Sequence, residues 1–155
     1  MERILKLSYL KGSIMIYRLE DGKIMVKLED GENVLEKLKV IVKESGWSSG
    51  VILNGVGMLR KIRLGYFDGK EYVIDEFEDP MELVSMQGNI SLDDKGNIIF
   101  HIHVGLADRS KKMYGGHLLD GIVNNVNEIL IMKLERVKMR RRLSEKTGLM
   151  ELFLQ

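Results

Sequence analysis

The sequence has no cysteine and a single proline, Pro80, in 155 residues. Without cysteine the chain has no disulfide, no thiolate metal ligand and no thiol nucleophile, which fits a reducing compartment. One proline leaves no room for a Pro-rich linker. Aromatic residues are only 6% of the chain, and 24 basic side chains nearly cancel 23 acidic ones, for a net charge of +1. Proteins that hold nucleic acid through its phosphates are usually far more basic. No run approaches the ~18 consecutive apolar residues of a membrane span. The beginning of the chain, Met1-Glu-Arg-Ile-Leu-Lys-Leu-Ser-Tyr-Leu-Lys11, lacks the unbroken apolar centre of a secretory signal. The expectation is therefore a cytoplasmic protein that does not enter a membrane. A hydrophobic content of 45% supplies enough apolar mass for one packed domain.

The segments Ile14–Leu19 and Lys23–Leu28 flank Glu20-Asp21-Gly22, a hairpin signal. Over Asp30–Glu44, Val34, Leu35, Leu38, Ile41 and Val42 recur at helical spacing. Asp30 is suited to cap the start of this helix and Gly46 to close its end. Beyond it, Gly50–Leu53 reads as a strand, Asn54–Gly57 as a turn and Met58–Phe67 as an alternating strand. Glu71–Phe77, Met81–Ser91 and Ile98–Val104 extend the series, separated by Asp68-Gly69, Pro80 and Asp93–Asn97. Gly115–Leu119 is expected to open a second, short helix. Glu128–Leu134, Val137–Leu143 and Leu149–Phe153 read as closing strands, with helix the alternative over 122–143. The fold class that follows is α+β: a mostly antiparallel sheet of about seven strands with two packed helices.

The three histidines, His101, His103 and His117, fall within 17 residues of one another. His101 and His103 are two apart on an expected strand, so both rings leave the same face, with Cα atoms ~6.5 to 7 Å apart. His117 follows two glycines, which let its backbone approach a neighbour. Three neutral imidazoles suit zinc and leave one position for water. Equally, a His-x-His pair can be an ordinary polar sheet face, and His117 can simply cap a helix. The arginines Arg140, Arg141 and Arg142, with Lys133, Arg136, Lys138 and Lys146, form the most basic segment. On a strand the arginines alternate faces, so they do not form one phosphate-binding track.

Several motifs occur in a characteristic order: Gly55-Val-Gly-Met-Leu59, Leu64-Gly-Tyr-Phe-Asp68, Glu82-Leu-Val-Ser-Met-Gln-Gly-Asn-Ile-Ser91, His101-Ile-His103, Gly115-Gly-His-Leu-Leu119 and Arg142-Leu-Ser-Glu-Lys-Thr-Gly-Leu149. Together they resemble the plant and prokaryote conserved (PPC) domain. The resemblance covers Met15 to Phe153. It leaves residues 1–14 as an N-terminal extension and 15–155 as a single domain. It implies an α/β sandwich-like fold with a largely antiparallel sheet, a homotrimer, and a metal on His101, His103 and His117, for which the imidazoles favour zinc. Glu82, in a matched segment, becomes a candidate to orient an imidazole or to act as base on bound water. In plants the domain follows an AT-hook that enters the DNA minor groove. This sequence has no such element, so DNA is expected as a weak partner only. A DNA-associated regulator and a trimeric scaffold without chemistry stand as the alternatives.

Overall fold

The structure is a computed structural model that describes the backbone of residues 5–10 and 13–155, with side chains described from residue 16 onward. The hairpin anticipated around Asp21-Gly22 joins β2 (Ser13–Glu20) to β3 (Lys23–Glu29), and both turn residues have positive φ. On β3 the alternation buries Ile24, Val26 and Leu28 and exposes Lys23, Met25 and Lys27. The strand β1 (Leu5–Leu10) pairs with β2 and so adds a strand within the expected extension. Residues 1–4 and 11–12 of that extension lie outside the described residues.

The helix α1 (Val34–Glu44) buries Val34, Leu38, Ile41 and Val42 in the core, as its periodicity requires. Its cap is Asn33 rather than Asp30: the Asn33 side chain accepts from the Glu36 N–H at 3.0 Å. Asp30 instead accepts from the Arg60 guanidinium at 2.6 Å and from the Asn125 N–H at 2.9 Å. Gly46, at φ 69°, follows the helix end as expected.

The rest of the chain is strand: β4 (Gly50–Phe67), β5 (Tyr72–Phe77), β6 (Met81–Asp93), β7 (Ile98–Ala107), β8 (Met113–Lys133), β9 (Met139–Leu143) and β10 (Met150–Leu154). Ten strands and one helix, not about seven and two, thus make up the described residues. The corrections have local causes. Asn54–Gly57 is no turn. Gly57, at φ 140°, is the site of a register irregularity inside the continuous β4, where a Cβ would overlap the Val126 carbonyl oxygen and the Asn127 side chain. The segment at Gly115 is no helix either but the start of β8. A Cβ on Gly115 would lie 2.9 Å from the Val104 carbonyl oxygen, and one on Gly116 3.1 Å from that of Gly65. The two glycines are needed because β7 and β4 come close on either side, which is the role the sequence suggested for them. Residues 122–133 continue β8, which settles that stretch as strand.

The sheet runs β1-β2-β3-β8-β4-β6-β9-β10, with β5 on β4. Four strands close on themselves: β4 pairs with β6 and with β8, and β7 pairs with both β6 and β8. All pairs are antiparallel except β6 with β9. The core includes Ile52, Leu59, Ile62, Met86, Ile90, Ile102, Leu106, Ile129 and Ile131. No helix among the described residues is long and apolar enough to cross a membrane.

Candidate metal centre

The pairing of β7 with β8 sets the centre. His103 lies directly opposite His117 across that pair, and His101 lies two residues from His103 on the same face. The three rings pack with centroids 5.0 to 5.4 Å apart. One ligand atom from each falls within 4.8 Å of the others. His117 therefore reaches the cluster from a strand rather than from a helix start. Gly116 and Gly115 sit opposite Val104 and Gly105, and Gly65 of β4 lies opposite His117 on the far side.

Hydrogen bonding fixes the proton positions. The Arg141 Nη2 stands 3.0 Å from His101 Nδ1. A guanidinium has no acceptor, so Arg141 donates and the Nδ1 lone pair accepts. In neutral His101 the proton then sits on Nε2, which is 3.1 Å from His103 Nε2 and donates to it. Two nitrogens bound to one tetrahedral zinc would stand ~3.3 Å apart, close to this spacing. The Nδ1 of His117 is buried with no hydrogen-bond partner. Burial, reinforced by His101, His103 and Arg141, lowers the His117 pKa to about 4. His101 is also held below its ordinary value, first by burial and then by the Arg141 and His103 charges. Both rings are thus kept in the form that can ligate a metal. An orphaned buried nitrogen, two further imidazoles and no competing thiol fit a divalent ion of borderline softness.

The sequence places Arg141 in the basic segment Lys133–Lys146, the expected contact for DNA, and not at the histidines. It lies on β9 with 7% of its surface exposed, beside the exposed Arg142, which pairs with Asp94 at 2.9 Å. Its Nη1 donates to the Met150 carbonyl at 2.7 Å, and its Nη2 donates to Asn89 Oδ1 at 3.0 Å. Asn89 is in turn the cross-strand partner of His101. Burial also pushes the Arg141 pKa below its ordinary value. The alternation of β9, with Met139 and Arg141 inward, was the one available signal. Tyr72, the other residue passed over, stacks on His117 at 5.6 Å between centroids.

Glu82 does not join the cluster. It is exposed on β6 opposite Ala107, five residues from Gln87, the partner of His103. At ~3.3 Å per residue that places it ~16 Å along the strand.

The chain is 31% identical to a plant- and prokaryote-conserved (PPC) protein of Pyrococcus horikoshii, with a TM-score of 0.77 over 92% of this chain and 97% of the other. A metal-containing protein of Archaeoglobus fulgidus is 26% identical, with a TM-score of 0.77 and 99% of each chain covered. A proposed DNA-binding protein of Bacteroides thetaiotaomicron is also 26% identical, with a TM-score of 0.84 over 90% of this chain and 96% of the other. Among curated proteins, the bifunctional protein GlmU of Synechococcus sp. (strain JA-3-3Ab) is 25% identical over 146 residues, which is 93% of this chain but 21% of that protein. The chain thus spans about a fifth of the length of the curated relatives it matches. The model of the Plants and Prokaryotes Conserved (PCC) domain matches residues 15–135, most of the chain, and on that match the chain belongs to the PCC family.

Proposed function

We propose that the chain is a divalent-metal-binding protein, with zinc the first choice, that holds the ion through His101, His103 and His117 and works as a homotrimer. The convergence of three imidazoles, one with an unpartnered buried nitrogen, carries this reading. The metal-containing archaeal relative supports it. Bound there, the ion would polarise a water or an oxygen ligand in the position the histidines leave open. His103 and His117 face each other across the ladder, and the closed ring of strands holds them there. For His101 Nε2 to ligate, its proton must leave that nitrogen, and an Nδ1–H would then face Arg141 Nη2, so Arg141 must give up the hydrogen bond it now donates there. The test is metal analysis of protein purified without a histidine tag and supplied with zinc. One ion per chain is expected, and its loss in His101→Ala/His103→Ala with the fold intact by circular dichroism. Protein that stays metal-free would overturn the reading.

Apolar side chains exposed on both faces of β5 and β10 support the trimer: Val73 and Ile74, and Leu152, Phe153 and Leu154, with Leu143 on β9. Light scattering should give a mass of three chains, and a monomer at micromolar concentration would refute it. The DNA-associated reading draws on the Bacteroides relative. Against it, the basic segment is dispersed: Arg141 is buried, Arg142 pairs with Asp94 and Lys133 with Glu135.

A further inference from the structure

Two cavities border the histidines, and they differ. One, of about 330 Å³, is lined by His101, His117 and Arg141 but not by His103. The other, of about 550 Å³, is lined by His101, His103 and His117 together. Of the two, the second alone gives a small molecule access to all three imidazoles. Its remaining walls are Gly65, Tyr66 and Phe67 of β4, Tyr72 of β5, and Gly115 and Gly116 of β8, so no lysine, arginine or carboxylate lines it. Strand register builds the aromatic wall. Phe67 stands directly opposite Tyr72 across the β4–β5 pair. Gly65, two residues from Phe67 and on the same face, stands directly opposite His117 across the β4–β8 pair. The Tyr72 ring lies across Gly65 and reaches His117. A Cβ on Gly65 would sit 2.7 Å from Tyr72 Cδ1, whereas glycine leaves the ring room, and the Tyr72 and His117 centroids are 5.6 Å apart. Phe67 adds a second ring, tilted by 58° with its centroid 5.6 Å from that of Tyr72. Phe67, Tyr72 and His117 thus form one row of rings that leads to the imidazole cluster.

Resting on the metal-binding reading above, we propose that this cleft receives the uncharged ring of a small aromatic molecule, which packs against Tyr72 and Phe67 while a nitrogen or oxygen of the same molecule takes the position the histidines leave open. The walls select the class. A charged body would lose its hydration without gaining a partner, because no counter-charge lines the cleft. An aliphatic body would gain burial alone, whereas a ring also gains the offset or edge contacts that two mutually tilted rings offer. Tyr72 keeps 39% of its surface exposed beside the imidazoles, aromatic area that a docked ring would cover. Aromatic walls with a few polar groups that fix orientation are the usual make-up of a small-molecule pocket. Tyr72 and Phe67 choose the body of the ligand, and the imidazoles fix its donor atom through the ion.

Calorimetry on zinc-loaded protein with imidazole, phenylimidazole and cyclohexylimidazole tests this, at about pH 8, where these probes are uncharged. Phenylimidazole should bind about tenfold more tightly than imidazole and about threefold more tightly than cyclohexylimidazole. In Tyr72→Ala the phenyl advantage over imidazole should shrink to about threefold or less, while imidazole itself binds within about twofold of wild type, which shows the zinc site intact. Phe67→Ala, one ring further from the histidines, should shrink the advantage by less, and it decides the matter where Tyr72→Ala fails to fold or to hold zinc. Phenylimidazole no tighter than imidazole, an advantage undiminished in the variants, or a cyclohexyl probe that matches the phenyl one refutes the proposal and leaves the metal reading standing. A second arm needs no zinc. Phenylimidazole added to ¹⁵N-labelled metal-free protein should shift the Gly65, Gly115 and Gly116 amide resonances saturably, and more than imidazole does. Absence of those shifts refutes the cleft whether or not zinc binds. Shifts in a protein that takes up no zinc support the cleft and overturn the metal reading alone.

Discussion

Acidification offers a direct measure of how deeply His117 is held neutral. In the unfolded chain this imidazole titrates near 6.5, and in the folded protein burial, with His101, His103 and Arg141 nearby, brings it to about 4. The folded-state value is the lower one, so between these limits the unfolded chain binds more protons and stability falls as the pH falls. The full gap is worth about 3 kcal/mol, complete only below pH 4. At pH 5 most of it has been reached, about 2 kcal/mol relative to pH 7.5. For a domain of this length that corresponds to a drop in Tm of roughly 4 to 8 °C. Urea denaturation of metal-free protein at half-unit steps from pH 7.5 to 5 reads this directly. His117→Asn should flatten the slope by close to one proton, with the smaller dependence from His101 remaining. A wild-type profile no steeper than that of His117→Asn would refute the argument that His117 is buried uncharged.

Gly57→Ala should cost about 3 kcal/mol or more by urea denaturation, since the new Cβ meets the Val126 carbonyl and Asn127 at a positive φ. Asn33→Ala removes both the helix cap and the 2.6 Å hydrogen bond from Asn33 Nδ2 to Asp120 Oδ1, and should cost about 1 to 2 kcal/mol, whereas Asn33→Ser should recover the cap. In mobility-shift assays, DNA binding should be weak and lost at moderate salt, because the chain is near neutral and its basic segment dispersed. Tight, AT-selective binding at physiological salt would contradict this.

The hydrophobic alternation of β3, the helical period of α1 and the Asp-Gly turns were readable because each is a local property of the chain. The glycines were legible only in part. The close approach at Gly115-Gly116 is readable from the pair itself, but the turn expected at Gly57 and the helix expected from Gly115 give way to constraints imposed by strands distant in sequence. The shared face of His101 and His103 followed from strand alternation alone, but the arrival of His117 opposite His103 depends on the register of β7 on β8. Arg141 was hidden for a related reason. It lies between two other arginines, and only the pairing of β9 with β6 and β10 turns it inward, where it meets Asn89 and His101. Glu82 drew attention through its motif, yet it is exposed and remote from the imidazoles.

The closure of β4, β6, β7 and β8 into a ring has a consequence for how the molecule breathes. A strand at a free edge can peel away by breaking one ladder, but β7 cannot leave without giving up both β6 and β8. The backbone amides from His103 to Ala107, where β7 is paired on both sides, should therefore exchange with solvent only in the rarest openings, those that dismantle the ring itself. The hairpin of β9 and β10 is different. Its backbone pairs with the ring at only two parallel positions, Leu92 with Arg140 and Asp93 with Arg141, and side chains supply the remaining ties, among them Arg141 to Asn89 and Arg142 to Asp94. Its backbone can separate from β6 without opening the ring, so Arg141 and His101 are held together by side-chain hydrogen bonds, whereas His103 and His117 are held by a continuous ladder. Two of the imidazoles are thus placed by the ring's own register, and the guanidinium by the side-chain bonds of the hairpin that carries it.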